Sequence, residues 1–559
     1  ADLAQPGDVI TVHGGVYRER INPPRGGTSD AMRIVYQAAP GEKVVITGAE
    51  QVKSWVKVQE DVWRVTISNS FFGGFNPYND LIHGDWFNPM GRVHHTGAVY
   101  LDGSWLTEAA SVQDVMKPVG SEPLWFGHVD NEFTTIWAQF KDVDPNQQRV
   151  EINVRQTVFY PEKTGINYIT VRGFTLEDAA TPWAPPTAEQ IGVIGPHWSK
   201  GWIIENNVVR NSICSGISLG KYGDKWDNTS ANSAEGYVET IKRALADGWS
   251  KDKVGHHLVR NNTIYNCGQA GIVGSMGAAF STVTGNTVYD IHVRRMFGGA
   301  EIAGIKFHGA IDVQISGNQI YHTPLGLWLD WMAQGTRVTK NLFDDNDADI
   351  FAEVDHGPFL IGNNLLLSPL SLRDNSQGGA YVHNLFAGAV RMLPFDSRQT
   401  PFLKAHSTAI AGFHDNPRGD DRFYNNIFVQ HADLSVYDNA SLPMWMAGNV
   451  YLDGARPSKF DKSFVVGPDF DPQLKLVSNP DGLYLEMRFD KNWTSEQPHK
   501  LVTSALLGRA VIPELPYEHP DSRPIQIKTD YFGKRRSESN PTPGPFERPG
   551  EGDLKLKVW

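Results

Sequence analysis

The feature of this sequence that most constrains the fold is an asparagine that recurs in front of a short apolar run. A repeat of about 20 to 50 residues is typical of solenoids, in which each coil adds short strands to stacked sheets. Most steps here are near 23 residues, and the step of 42 is close to two of them. The sequence therefore predicts an all-β chain organised as a right-handed parallel β-helix. The repeats begin at Asn207, Asn262, Asn286, Asn318, Asn341, Asn364, Asn384, Asn426 and Asn449, with steps of 55, 24, 32, 23, 23, 20, 42 and 23 residues.

An asparagine suits the corner of such a coil. Its short side chain tolerates the left-handed backbone conformation of a sharp turn. Stacked side-chain amides can also bond to one another along the coil axis. The competing interpretation is that asparagine is simply common in loops, but the shared apolar sequel of all the repeats favours the coil.

The repeat divides the chain into four parts. Residues 1–51 contain strand-like runs and are interpreted as the first coils. Residues 52–160 lose the asparagine period and alternate as in 62–67, which indicates an inserted antiparallel, β-sandwich-like domain. Residues 161–455 form the main β-helix with the candidate site, and residues 233–249 within it have a near-helical apolar spacing. Residues 456–559 are expected to pack on the inserted domain or to cap the coil.

Charge and cysteine usage exclude several classes of function. The chain has 51 Lys and Arg against 63 Asp and Glu, a net charge of -12, which disfavours non-specific binding of nucleic acid or anionic lipid. Two cysteines, Cys214 and Cys267, are too few for a disulfide framework and are expected to be buried free thiols.

Location and assembly are predicted only from general features. No apolar run reaches the length of a membrane span, and the first eight residues lack the basic start and apolar core of a secretory signal, which favours a cytoplasmic location. The long flat sides of a solenoid favour a homo-oligomer. The expected partner is a small neutral molecule rather than nucleic acid or a membrane.

Two carboxylates occupy the same phase of consecutive repeats. Asp330 lies 12 residues after Asn318, and Glu353 lies 12 residues after Asn341. Neighbouring strands are about 4.8 Å apart, so the two carboxyl groups are predicted to stack at a separation of roughly 5 Å, near that of retaining glycosidases. The sequence therefore predicts a glycoside-hydrolysing pair.

Their neighbourhoods assign the two roles. Asp330 on a rigid strand suits a nucleophile that attacks the anomeric carbon. Glu353 lies among apolar residues beside a second carboxylate, which would raise its pKa as a general acid/base requires. The alternative is structural, with one carboxylate in a surface ion pair and the other capping a turn.

Polar and aromatic residues around this pair are candidate sugar contacts. The strand before Asp330 places His308 beside Asp330 and Lys306 beside Trp328, where both can donate to hydroxyl groups, and Glu301 upstream can accept from one. Each of them also fits an ordinary solvated face. Trp331 and His356 flank the carboxylates, and Trp198 lies in an aromatic, Pro-rich loop that is expected to wall a pocket. The acidic run at 344–349 lacks the Gly and Glu of a calcium loop, so no metal site is predicted.

At these residues the chain resembles the β-xylosidases of glycoside hydrolase family 120. The resemblance runs over most of the chain, and its most specific strings are residues 70–78, 179–187, 325–336 and 351–358. It implies a parallel β-helix with an associated β-sandwich. It also implies that Asp330 is the nucleophile and Glu353 the acid/base.

The same resemblance implies an activity. A retaining, exo-acting β-xylosidase is expected, which removes xylose from the non-reducing end of xylobiose and short xylo-oligosaccharides in a pocket and without a cofactor. Lys306 and His308 are implied as sugar contacts, with Trp86 of the inserted domain and His356 as weaker candidates.

Other functions fit the same scaffold, because a fold does not determine an activity. An α-L-arabinofuranosidase or a fucosidase stays open. A polysaccharide lyase needs cationic groups around a uronate, so paired carboxylates disfavour it by charge repulsion. A non-enzymatic carbohydrate-binding or adhesin-like β-helix would not need two carboxylates in one phase.

Overall fold

The structure is a computed structural model that describes residues 1–117 and 120–559. The chain forms two compact units. The first unit comprises residues 1–232, 262–274 and 291–302, and the second comprises residues 233–261, 275–290 and 303–559.

The first unit contains stacked coils built from three parallel sheets. Their strands are Val9–Val12, Ile34–Ala38, Ile169–Arg172 and Ile203–Glu205 in one sheet; Gly15–Tyr17, Val44–Thr47, Thr175–Ala179, Val208–Ser212 and Thr263–Cys267 in the second; and Gly192–Ile194, Ser215–Ser218 and Ala270–Ser275 in the third. Cys214 and Cys267 are buried free thiols, as predicted.

The first unit also contains two mainly antiparallel sheets between residues 49 and 153. Trp55, Trp125 and Phe140 lie in the core that the two sheets share, so this part is a β-sandwich. Its strands are Ala49–Gln51, Val99–Leu101, Ser104–Trp105 and Val150–Asn153 in one sheet, and Val56–Gln59, Val62–Ser68, Thr107–Glu108, Leu124–Val129 and Phe133–Gln139 in the other. Two short helices, Asn69–Phe72 and Val112–Met116, and the strand pair Phe87–Asn88 with Gly298–Gly299 complete the unit.

The second unit contains a longer stack of coils with the same three-sheet plan. Its first sheet contains Leu258–Arg260, Thr282–Thr284, Gln314–Ser316, Arg337–Thr339, Phe359–Gly362, Gly379–Val382, Arg422–Tyr424 and Trp445–Ala447. Its second sheet contains Thr287–Ile291, Gln319–Tyr321, Leu342–Asp344, Leu365–Leu366, Leu385–Phe386, Ile427–Val429, Asn449–Leu452 and Phe464–Gly467. Its third sheet contains Ala303–His308, Leu325–Asp330, Ala348–Glu353, Leu370–Asn375 and Ala389–Met392.

Several elements of the second unit lie outside the coils. The apolar spacing at 233–249 predicts a helix, and the helix Ala234–Ala246, capped by Ser233, confirms it. An antiparallel hairpin of Asp396–Leu403 and Ile410–Asn416 leaves the coil, and is called the 396–416 hairpin below. The other elements are the helices Leu434–Tyr437, Asn492–Glu496 and Ser504–Leu507 and the strands Lys475–Asn479, Gly482–Phe489 and Gly552–Lys557. No helix of the described residues is long and apolar enough to cross a membrane.

The C-terminal residues lie along the sides of the coil in the second unit. Leu485, Met487 and Phe489 of the three-stranded C-terminal sheet share a buried core with Leu365 and Leu385 of the second sheet. The helix Ser504–Leu507 and the chain after it pack in the same way on the first sheet. The segment therefore covers apolar surface that the coil alone would expose to water.

The repeating asparagines form buried ladders, as the sequence predicts. In the second unit, the Nδ2 of Asn341 donates to Oδ1 of Asn364 at 3.0 Å, and the Nδ2 of Asn364 donates to Oδ1 of Asn384 at 3.0 Å. Each amide also donates to a backbone carbonyl and accepts from the backbone N–H of the preceding ladder residue. The same contacts join Asn286 to Asn318 and Asn207 to Asn262 within their units.

One detail of the asparagine prediction is wrong. The residue with left-handed backbone is the one before the ladder asparagine, as at Lys340, Asn363 and His383, whose φ angles are 61°, 56° and 55°. The ladder asparagine itself needs ordinary backbone geometry because its amide must point into the coil and reach its neighbours. The turn and the amide ladder are thus supplied by two adjacent residues.

Removing one amide from the ladder is expected to destabilise the fold. Asn364→Ala leaves the buried backbone N–H of Asn341 without its acceptor and removes one hydrogen bond each from Asn341 Nδ2, Asn384 Oδ1 and the Val338 carbonyl, which costs about 3 kcal/mol of unfolding free energy. Denaturant unfolding measures this loss. The exposed Asn439, changed to alanine, serves as the control and is expected to alter stability by less than about 0.5 kcal/mol. Equal effects of the two substitutions would contradict a structural role of the ladder.

Candidate active site

The candidate site lies on one face of the third sheet of the second unit. Side chains alternate between the faces of a strand, so fully buried Leu327 and Leu329 point into the coil while Trp328 and Asp330 share the other face. Asp330 pairs in register with Glu353, and His308 pairs with Asp330. The predicted stacking of these three residues is therefore confirmed.

The strands end in the same way at each of these residues. Gly309, Trp331 and Val354, which follow His308, Asp330 and Glu353, have left-handed backbone with φ of 69°, 48° and 53°. Such a φ is costly for a β-branched residue such as valine. The turns place the three functional side chains at the same corner of consecutive coils.

Asp330 is a buried carboxylate with one oxygen committed to cations. Its Oδ2 accepts from Nζ of Lys306 at 2.5 Å and lies 3.3 Å from Nε2 of His308. Its Oδ1 is buried and has no hydrogen-bond partner among the described residues. Lys306 and His308 are themselves buried, so they hold the carboxylate in place through Oδ2. The lone pairs of Oδ1 stay available for a reacting atom.

The charges around Asp330 keep it ionised. Burial by itself raises the pKa of Asp330, but the electrostatic effects of Lys306, His308 and Arg398 outweigh burial and hold the pKa below its usual range. A buried carboxylate that stays charged at neutral pH is suited to nucleophilic attack.

Glu353 is held by two donors from different elements. Its Oε1 accepts from Nη2 of Arg398 at 2.7 Å, and its Oε2 accepts from Nε1 of Trp328 at 3.0 Å. Arg398 belongs to the 396–416 hairpin, whereas Trp328 stands two residues before Asp330 on the neighbouring strand. These contacts orient the carboxyl group beside Asp330.

Glu353 differs from Asp330 in the direction of its pKa shift. Burial and the negative charge of Asp330 raise the pKa of Glu353, and the opposing effects of Arg398 and Lys306 leave it above its ordinary value. Two adjacent carboxyl groups with opposite pKa shifts match a charged nucleophile and a proton donor. The arrangement can therefore attack a carbon and protonate a leaving oxygen in one site.

A column of flat and cationic side chains runs beside the carboxylates. Lys306 Nζ lies 3.0 Å from the centre of the Trp328 ring, and the Trp328 and Phe351 rings lie 5.2 Å apart. Lys306, Trp328 and Phe351 occupy one register position of three consecutive strands. Lys306 therefore contacts both an aromatic face and the carboxylate of Asp330.

The helix Ala234–Ala246 supplies an aromatic residue to the site. The Tyr237 ring packs edge-to-face on His308 at 4.9 Å and on Trp331 at 5.1 Å between centroids. Trp331 is 3% exposed and Tyr237 2%. Trp331 therefore packs against Tyr237 at the turn that follows Asp330.

The other predicted contacts lie in different surroundings. His356 is buried, and its ring nitrogens contact Gln377 and Thr400. Burial lowers the pKa of His356 to about 4, so its imidazole is neutral. It has the bonding of a structural residue rather than that of a sugar contact.

Three predicted residues belong to the first unit. Glu301 is buried there. The backbone N–H of half-buried Trp86 donates to Oδ1 of Asn232 at 2.6 Å. Trp198 is 9% exposed and packs edge-to-face on Tyr222.

Sequence reasoning missed two residues of the 396–416 hairpin, of which one contacts Glu353 and the other binds the first. Arg398 contacts Glu353 directly, and Asp396 binds Arg398 at 2.6 Å. Neither position can be related to the asparagine repeat, because the hairpin leaves the coil. No local signal in the sequence marks them.

Comparisons with known proteins find matches over most of the chain. Residues 52–152 match the family described as "Glycoside hydrolase 120, insertion domain", and residues 191–387 match a "Right handed beta helix region". A solved structure, "The complex structure of XylC with xylose", is 42% identical with a TM-score of 0.96, and the match covers 100% of this chain and 96% of that one. A search of curated proteins found no match.

More distant structures share only a loose likeness. One described as "Glycoside hydrolase" is 10% identical with a TM-score of 0.39, over 83% of this chain and 90% of that one. An alginate lyase of family PL6 is 9% identical with a TM-score of 0.42, over 88% of this chain and 54% of that one. These likenesses carry no information about the reaction.

Proposed function

This chain belongs to glycoside hydrolase family 120, and on that premise we propose that it is an exo-acting, retaining β-xylosidase of xylobiose and short xylo-oligosaccharides. The observation that carries the proposal is the register pairing of Asp330 with Glu353, whose pKa values move in opposite directions. The xylose bound by the similar XylC supports a small sugar as the ligand.

The first half of the proposed reaction forms a covalent intermediate. Asp330 Oδ1 attacks the anomeric carbon of the terminal xylose from the side opposite the leaving group. The bond from that carbon to the glycosidic oxygen breaks, and Glu353 transfers its proton to this oxygen. The product is a xylosyl ester of Asp330, and Glu353 is left as a carboxylate.

The second half releases xylose. Glu353 accepts a proton from a water molecule, whose oxygen attacks the anomeric carbon as the ester bond to Asp330 breaks. Asp330 regains its negative charge beside Lys306, and Glu353 is again protonated. Two inversions give net retention, so the first sugar released carries the β configuration.

The charges near the pair favour a neutral sugar. A negative charge on the sugar would lie close to the ionised carboxylate of Asp330, which is electrostatically unfavourable in a buried site. A glycosidase that removes another neutral sugar, such as an arabinofuranosidase or a fucosidase, uses the same groups and is the second candidate. The distinction depends on the sugar that the pocket accepts.

The stereochemistry of hydrolysis tests the proposal. Proton NMR of 4-nitrophenyl β-D-xyloside hydrolysis is expected to detect β-xylose before mutarotation produces the α anomer. Release of α-xylose first would refute the double-displacement mechanism. Absence of hydrolysis, with turnover of the matched α-L-arabinofuranoside or fucoside, would refute the xylosidase activity.

A further inference from the structure

An arginine and an aspartate of the 396–416 hairpin form a chain that ends on Glu353. One nitrogen, Nη2 of Arg398, lies 2.7 Å from Oε1 of Glu353 and 2.6 Å from Oδ2 of Asp396. The guanidinium therefore divides its positive charge between the acid/base and a second carboxylate. Nothing in the mechanism described above uses Asp396.

Asp396 holds the guanidinium in one orientation. Its Oδ1 and Oδ2 accept from Nε of Arg398 at 3.0 and 2.9 Å, and its Oδ1 also accepts from the Arg398 backbone N–H at 2.9 Å. Asn375, the register neighbour of Glu353 on the next strand, donates to Oδ2 of Asp396 at 3.2 Å. These contacts hold the pKa of Asp396 below its usual value against the effect of burial.

The hairpin itself is fixed to the coil. Thr400 Oγ1 donates to the carbonyl of Val354, which directly follows Glu353, at 3.0 Å. Gln334 Nε2 donates to the carbonyl of Leu403 at 3.0 Å. Arg398 is therefore presented to Glu353 from a rigid support, with its side chain only 34% exposed.

The proposed reaction makes opposite demands on Glu353. It must carry a proton when Asp330 is a free carboxylate, and it must be ionised when Asp330 is esterified. Esterification removes the negative charge that raises the pKa of Glu353, while the charge of Arg398 does not change. In the second half of the reaction, Asp330 therefore no longer opposes the lowering of the Glu353 pKa by Arg398.

We propose that Arg398 is a positioning residue that keeps Glu353 ionised as the base of the second step, and that Asp396 limits the effect of Arg398 throughout, so that Glu353 can still carry a proton in the first step. This inference rests on the proposed function and adds the groups that allow one carboxyl group to serve both steps. Arg398 acts only through Glu353.

Two substitutions in this chain are expected to act in opposite directions. Arg398→Met removes the positive charge beside Glu353, so the pKa of Glu353 rises. The alkaline limb of the pH profile of kcat/KM then moves to higher pH by about one unit. Asp396→Asn removes the competing anion, so the pKa of Glu353 falls and the same limb moves to lower pH. A purely structural role would lower activity in both variants without opposite shifts.

The second step gives an independent readout. With 2,4-dinitrophenyl β-D-xyloside the leaving group needs little protonation, so kcat reports hydrolysis of the ester. In Arg398→Met the acidic limb of kcat is expected to move to higher pH, so kcat at a fixed pH on that limb falls about tenfold because more of the base is protonated. In Asp396→Asn the acidic limb of kcat is expected to move to lower pH.

Matched variants separate charge from packing. Arg398→Lys keeps the charge and is expected to restore most of the limb positions. Arg373→Met removes an equal charge from the next strand, where the guanidinium lies 4.2 Å from the Phe351 ring, and is expected to leave both limbs in place. Far-UV circular dichroism of each variant verifies folding.

The outcomes distinguish this inference from the proposed function. If the limbs of the pH profiles stay in place, or move in the same direction in Arg398→Met and Asp396→Asn, the proposed role of Arg398 is overturned. The proposed xylosidase function would still stand. A wild-type protein that hydrolyses no β-xyloside at any pH overturns the proposed function and this inference with it. Opposite shifts with rescue by lysine support both.

Discussion

Asp330→Asn is expected to lower kcat/KM for aryl β-xylosides by about 10⁴-fold or more, because the amide has the shape of the carboxylate without its charge or nucleophilicity. Steady-state kinetics at the pH optimum of the wild type measure the loss. The proposed attacking atom, Asp330 Oδ1, is buried and has no hydrogen-bond partner among the described residues.

The same substitution is expected to affect stability through Lys306. Lys306 is fully buried and donates to Asp330 at 2.5 Å, so neutralising Asp330 removes one charge partner of a buried ammonium group at a cost of about 3 kcal/mol. The double variant Asp330→Asn with Lys306→Met is expected to recover much of this loss but none of the activity. Assays below the unfolding transition then separate the chemistry from the fold.

An external nucleophile identifies the role of Asp330 directly. In Asp330→Ala, azide is expected to occupy the vacated space and to attack the anomeric carbon opposite the leaving group, giving α-xylosyl azide. NMR of the product determines its configuration. Formation of β-xylosyl azide instead would show that Asp330 is not the nucleophile.

Glu353→Gln is expected to have an effect that depends on the leaving group. Without a proton donor, kcat/KM falls about 10² to 10⁴-fold for xylobiose, whose leaving alkoxide needs a proton, and much less for 2,4-dinitrophenyl β-D-xyloside. The alkaline limb of the wild-type pH profile should disappear as well, because its titrating group is gone. Equal losses for both substrates would argue against an acid role.

Azide serves here as the matched control. In Glu353→Ala, azide is expected to enter on the side where Glu353 activates water, so it attacks the xylosyl ester and gives β-xylosyl azide. The two alanine variants must therefore yield opposite anomers. The reverse assignment of products would exchange the roles of Asp330 and Glu353.

The two pKa directions also predict the pH range of activity. Activity in kcat/KM requires ionised Asp330 and protonated Glu353. Since the pKa of Asp330 is lowered and that of Glu353 raised, the acidic limb lies below the usual aspartate value and the alkaline limb above the usual glutamate value. The window between the limbs is wider than two unperturbed carboxyl groups would give.

The register of the site was predictable because it is a consequence of the repeat. Each ladder asparagine bonds to the next one, so residues equally far from successive asparagines lie on neighbouring strands wherever the intervening coils have the same length. Asp330 and Glu353 satisfy this rule relative to Asn318 and Asn341. A regular period thus converts sequence distance into spatial contact.

Residues outside the period were not predictable in this way. Arg398 and Tyr237 lie on a hairpin and a helix that leave the coil, and their distances in sequence from Glu353 and His308 carry no geometric information. His356 lies only three residues after Glu353, yet its hydrogen bonds to Gln377 and Thr400 depend on tertiary packing. Aromatic and polar side chains near a site fit both packing and binding until their neighbours are known.

By itself the sequence determined the coil, its asparagine ladder and the pairing of Asp330 with Glu353, because these depend on local spacing repeated many times. The tertiary structure alone decided which cations and donors surround the pair, and therefore that the pKa of Asp330 is lowered while that of Glu353 stays raised despite Arg398 and Lys306. Electrostatic effects depend on distance and burial in three dimensions, and the 396–416 hairpin brings Arg398 to Glu353 across 45 residues of chain.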